Sequence, residues 1–264
     1  STMKPEKPRP IRLADYEPPA YLIYKVDLEF SLHPTSTRVR ARMKMRPNPA
    51  FNGERRGLRL DGEQFQFGRI SIDGSELAAA SFERDDVSLT IHNPPRKAFT
   101  VDITSTVNPD QNKALQGLYR SRGVYCTQCE AQGFRRLTYF LDRPDVLSVY
   151  SVRIEADVVE APILLANGNP VERGTLDRGR RHYAVWRDPH PKPCYLFALV
   201  AGDLSPVASS FKTMSGRNVN LKIYVEHGKE TRATWAMGAL KRAMQWDEER
   251  FGREYDLDVF NIVA

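Results

Sequence analysis

Cysteine, long apolar runs and nucleophile signatures are all scarce in these 264 residues. No window approaches the roughly 18 consecutive apolar residues of a membrane span, and Ser1–Pro10 is charged and proline-bearing where a secretory leader would be apolar. No membrane partner is expected. Three cysteines, an odd number in a chain this long, argue against a disulfide framework and fit a reducing compartment, so a cytoplasmic protein is expected. Gly-x-Ser-x-Gly, a glycine-rich phosphate loop and His-Glu-x-x-His are all absent, which leaves no local signature for a serine hydrolase, a nucleotide site or a zinc helix.

What is present is enough to build a core: 41% hydrophobic and 10% aromatic residues, with 27% charged. The 39 basic and 33 acidic residues leave +6, and the excess is local. Residues 1–56 hold twelve Lys/Arg against six Asp/Glu, whereas residues 57–264 hold 27 of each. Without aromatics interleaved among the cations, no nucleic-acid partner is expected.

Pro5, Pro8, Pro10, Pro18 and Pro19 predict an extended tail over residues 1–20. From Tyr21 the apolar period becomes two: Leu22, Tyr24, Val26, Leu28, Phe30 and Leu32 alternate with mostly polar neighbours, and Val39, Ala41, Met43 and Met45 alternate with Arg38, Arg40, Arg42, Lys44 and Arg46. Further short strand-like runs follow up to Val225, separated by turn signals such as Asp61-Gly62, Asp73-Gly74 and Asn167-Gly168. The pattern predicts a mainly β protein, an antiparallel β-sandwich or saddle over residues 21–204. Near Thr231, a candidate N-cap, the period changes to that of a helix whose seam is Trp235, Ala236, Ala239, Leu240, Ala243, Met244 and Phe251, with Gly252 placed to stop it. The apolar run Leu257–Val263 comes next, and residues 205–264 are expected to open a second, incomplete domain.

Two features invite a chemical reading. Cys126-x-x-Cys129 has the spacing of a metal knuckle or redox pair, but Cys194 and the five scattered histidines supply no ligand-like partner spacing, so buried or incidental thiols are expected and no metal in this chain. The row Arg38–Arg46 projects cations from one face of a strand. It reads as a solvated face or protected edge, or alternatively as the docking face of a free-standing β-sandwich module for an acidic partner.

The stretch Thr127-Gln128-Cys129-Glu130-Ala131-Gln132-Gly133-Phe134-Arg135-Arg136, with Tyr139-Phe140-Leu141-Asp142-Arg143-Pro144-Asp145-Val146, strongly resembles the amino-terminal part of the bacterial aminopeptidase N family. The similarity continues through Leu164–Asn169, Pro191–Asp203 and Trp246–Asp258. It implies an amino-terminal β-domain followed by the start of a thermolysin-like α/β catalytic domain, with further catalytic and carboxy-terminal domains as partners, zinc as cofactor of the complete enzyme, and peptides with a free amino terminus as substrates. The family's Gly-Ala-Met-Glu-Asn and His-Glu-x-x-His motifs do not occur in these residues, so this segment is expected to be inactive alone. By the same resemblance, Glu130 matches the carboxylate that holds the substrate's α-ammonium and Gln128 a residue lining the first side-chain pocket. The residues alone favour a surface ion pair of Glu130 with Arg135 or Arg136, and only the resemblance reverses that reading. Arg135, Asp142 and Pro144 read as structural, the first two as an ion pair.

Overall fold

A computed structural model describes residues 13–264. The predicted tail lies outside the described residues up to position 12. The rest of it is tied down: after a 3-10 turn at Leu13–Asp15, Tyr16 donates to Asp145 (2.7 Å), and the Pro19 carbonyl accepts from Asn48 (2.8 Å).

The strands, in chain order, are β1 (Tyr21–Ser31), β2 (Thr37–Pro47), β3 (Gly57–Asp61), β4 (Gln66–Ile72), β5 (Ser75–Glu76), β6 (Phe82–Arg84), β7 (Ser88–His92), β8 (Phe99–Val107), β9 (Gly117–Ser121) and β10 (Val124–Gln128). They continue with β11 (Ser148–Asp157), β12 (Ile163–Ala166), β13 (Asn169–Leu176), β14 (Arg181–Lys192), β15 (Leu199–Gly202), β16 (Ser205–Lys212) and β17 (Asn218–Val225). Helix α1 (Glu230–Phe251) and β18 (Val259–Val263) follow. An eight-stranded sheet in the order β13-β14-β11-β1-β2-β8-β4-β5 is the main layer, with sheets β12-β15-β10-β9, β3-β7-β6 and β16-β17-β18 beside it. Among the described residues, no helix is long and apolar enough to cross a membrane.

The mainly β class stands and its sheets are largely antiparallel, with two parallel pairs among them. β1 pairs in parallel with β11 and β17 with β18. Alternation tells which face a residue occupies and says nothing about the direction of its neighbour, so the pattern could not reveal these pairs.

β2 follows its pattern closely, with Val39, Ala41, Met43 and Met45 fully buried. β1 departs from its own. A bulge between Ile23 and Lys25 inserts one residue, so Tyr21 and Ile23 point inward before it and Val26, Leu28 and Phe30 after it, leaving Tyr24 outside.

Residues 205–263 close a second apolar cluster, in which Val219, Leu221, Ile223 and Val225 of β17 meet Ala233, Met237 and Met244 of α1. The helix corrects two expectations. It begins at Glu230 after Lys229, so Thr231 lies inside it. Its buried seam is Ala233, Met237 and Met244, with Ala236 and Leu240 partly buried beside it, while Trp235 and Phe251 stand in solvent. A wide helical pattern with apolar residues on two sides does not say which side meets the sheet. Gly252 does end the helix, at φ 63°, with its N–H donating to the Glu248 carbonyl.

Candidate functional site

The segment that carries Gln128 and Glu130 begins at a hairpin. β9 and β10 are joined by the two residues Arg122 and Gly123, both at positive φ (51° and 80°), in the manner of a type I′ turn. β10 also pairs with β15 at Tyr125 and Cys126. Where that ladder ends, the Thr127 hydroxyl takes over, accepting from the Leu199 amide (2.8 Å) and donating to its carbonyl (3.3 Å).

Beyond this clamp the chain alternates between anchors and exposed groups. Gln128 is exposed, Cys129 buried, and Glu130, Ala131 and Gln132 exposed; the Glu130–Ala131 peptide is cis. Gly133 then passes so close to the start of the loop that a Cβ there would stand 2.1 Å from the Gln128 carbonyl oxygen, so only glycine fits. Its N–H donates to the Cys129 carbonyl (2.9 Å). Phe134 is fully buried, with its ring centroid 4.7 Å from that of Phe140 and 5.5 Å from that of Phe197.

Charge holds the far side of the loop. Asp142, its side chain 2% exposed, accepts from Arg135 Nε (2.9 Å), from the Arg135 amide (3.3 Å) and from Cys194 Sγ (3.2 Å). Arg136 faces Glu63 at 3.4 Å. Both arginines beside Glu130 are thus occupied, and among the described residues no cation lies within 4 Å of the Glu130 carboxylate. Gln128 lies on the same side, its Nε2 donating to the Glu130 carbonyl at 3.4 Å. The local ion pair that the residues alone favoured for Glu130 is therefore not formed.

The Arg135–Asp142 pair stands as read, whereas Cys194 and Glu63 were not assigned to this region. No spacing signal could have found them, since Cys194 lies 52 residues from the carboxylate it meets.

The thiols do not prepare a metal site. Burial pushes Cys126, Cys129 and Cys194 above the usual thiol range, Asp142 adding to the effect on the last two, and this opposes the thiolate that metal binding or disulfide exchange requires. Among the described residues no group of three His, Cys, Asp or Glu side chains is placed to share a metal.

The cationic row on β2 is interleaved with carboxylates from neighbouring strands. Arg40 makes a two-pronged pair with Asp102 of β8 (shortest 2.7 Å) and faces Glu29 of β1 at 3.8 Å, and Arg42 reaches Asp102 at 3.6 Å. The groove beside it, about 570 Å³, is lined by four arginines and four carboxylates. Such a mixed surface has no single sign to offer a phosphate chain or an acidic partner.

The chain is similar to known proteins over nearly its whole length. Residues 19–196 match the family described as Peptidase M1 N-terminal domain. Aminopeptidase N of Caulobacter vibrioides is 54% identical over 262 residues, 99% of this chain and 30% of the relative. Aminopeptidase N of Escherichia coli is 47% identical, over 95% of this chain and 28% of its own length. The crystal structure of Legionella pneumophila aminopeptidase A in complex with aspartic acid superposes with a TM-score of 0.90 at 34% identity, covering 96% of this chain and 30% of that one. The chain thus spans under a third of the length of these relatives. With two thirds of its residues inside the matched region and the motif around Glu130 among them, the chain belongs to the peptidase M1 N-terminal domain family.

Proposed function

We propose that this chain is the amino-terminal part of a zinc-dependent aminopeptidase that removes single residues from peptide amino termini, and that it contributes substrate recognition. Glu130 is the anchor for the substrate's α-ammonium and Gln128 borders the space for the first side chain. The carrying observation is that Glu130 keeps a free carboxylate on a backbone held by Thr127, Phe134 and Asp142, while both adjacent arginines are engaged elsewhere.

A preset carboxylate has the right physics for an exopeptidase. Once peptide and neighbouring domains exclude water from it, a terminal ammonium is rewarded by a charge-assisted hydrogen bond, whereas an internal peptide bond offers no cation. The described residues do not fit zinc, because the buried thiols resist ionisation and no third ligand joins them. The metal is assigned to the rest of the polypeptide.

Residues 21–204 are read as the β-domain and 205–264 as the start of the catalytic domain, a division supported by the separate apolar cluster on α1 and β17. Three unbridged cysteines support a cytoplasmic setting.

The test uses the complete enzyme and its Glu130→Ala and Glu130→Gln variants. Losing one member of a desolvated charge pair lowers kcat/KM for substrates with a free amino terminus by roughly 30-fold or more, with no change in thermal stability. A loss under about threefold in both variants overturns the assignment.

A further inference from the structure

Helix α1 carries two apolar stripes, and only one of them is covered. Ala233, Met237, Leu240 and Met244 pack on β17. Trp235, Ala239, Ala243 and Trp246 recur at nearly the same spacing, and at about 100° per residue their stripe is turned roughly 130° round the helix from the first. Trp235 is 75% exposed and Trp246 53% exposed. Arg232, Arg242 and Arg250 lie nearest this second stripe, with Asp247 and Glu249 further round the helix, and none of the three arginines is ion-paired among the described residues; Arg250 instead leans on the Trp246 ring at 5.6 Å.

Two tryptophans bracketing two alanines form a seat with raised ends. Tryptophan and arginine are the residue types that dominate interface energetics, and an uncovered row of them is uncommon on a closed surface. The unpaired arginines define the occupant's chemistry: an apolar ridge bordered by carboxylates. Its source is indicated by length, since the Caulobacter relative aligns with 99% of this chain yet only 30% of its own length is matched.

We propose that the outer stripe of α1 is an intramolecular docking surface, covered in the complete polypeptide by an apolar, carboxylate-rimmed face from outside these 264 residues. This rests on the reading of the chain as part of a longer aminopeptidase, and it names the surface through which the parts join.

The experiment is hydroxyl-radical footprinting of the full-length protein, read by mass spectrometry at each tryptophan. Buried Trp186 is the protected reference and the denatured protein the exposed one. Trp235 and Trp246 are expected to label at least about fivefold more slowly than in the denatured protein, and less protection than that overturns the proposal. Protection that disappears on dilution also overturns it, because the cover is then a second copy. In the same protein, Ala239→Arg on the stripe should lower Tm by about 4 °C or more, while Gln245→Arg off the stripe leaves it unchanged. An unaltered Tm for Ala239→Arg counts against docking. Peptidase activity of the unmodified sample is scored separately: protected tryptophans in a protein without activity sink the functional reading and leave docking standing, and active protein with labelled tryptophans does the reverse.

Discussion

The loop after β10 and the helix α1 both present side chains to solvent, but they are supported in opposite ways. In the loop, the exposed residues Gln128 and Glu130 are polar and alternate with anchors sunk in the main core, among them Cys129 and Phe134. In the helix, the exposed residues include Trp235 and Trp246, and only Ala233, Met237 and Met244 beneath them are buried. A segment whose large apolar groups are sunk can hold a charge at a preset place. A segment with apolar groups left outside is waiting for a surface.

This contrast is broken most severely at Phe134. Phe134→Ala opens a cavity among Phe140, Tyr150 and Phe197 and should cost about 3–5 kcal/mol, measured by urea unfolding of the 264-residue chain. Asp142→Ala comes next, at about 3 kcal/mol, because it strands Arg135 and Cys194 without their acceptor. A loss below about 1 kcal/mol would show that water reaches Arg135 and that the loop does not depend on this node.

On the helix side the expected losses are smaller. Met237→Ala should cost about 2 kcal/mol, the low end for such a change, since its cluster is already open on one side. A cost as large as that of Phe134→Ala would erase the distinction between the two regions.

The mildest test is Arg40→Ala on the solvated sheet face, expected below about 1 kcal/mol because Arg40 is half-exposed. Its signature is in pH. Asp102 is held below the usual carboxylate range, chiefly by the Arg40 hydrogen bond. That contribution is complete above the ordinary Asp value of 3.8 and fades as pH falls through the lower folded value. Thermal melts of Arg40→Ala and its parent should therefore differ at neutral pH and converge in strong acid.

Much of the fold was legible because the relevant signal is local. The alternation in β2 and the turn at Asp73-Gly74, where both residues adopt positive φ, needed no distant contact. The β9–β10 hairpin was legible only as a loop at Ser121-Arg122-Gly123, since arginine does not advertise the left-handed backbone of its Arg122-Gly123 turn. For the candidate site, Gln128 and Glu130 were legible only through resemblance to a family. Burial alternation marks neither as a ligand-binding group.

Local sequence was enough for the mainly β class, the change of period near residue 230, the stop at Gly252 and the need for glycine in tight turns, since each follows from backbone sterics or from periodicity within a few residues. Long-range packing settled that β1 runs parallel to β11, that the helix buries Met237 rather than Trp235, and that Arg135 and Arg136 turn away from Glu130. Those outcomes depend on which distant group offers the better partner. Asp142 competes for Arg135 from a buried, low-dielectric position, and Glu63 reaches Arg136 from another strand connection, so Glu130, adjacent in sequence to neither competitor, is left with a free carboxylate.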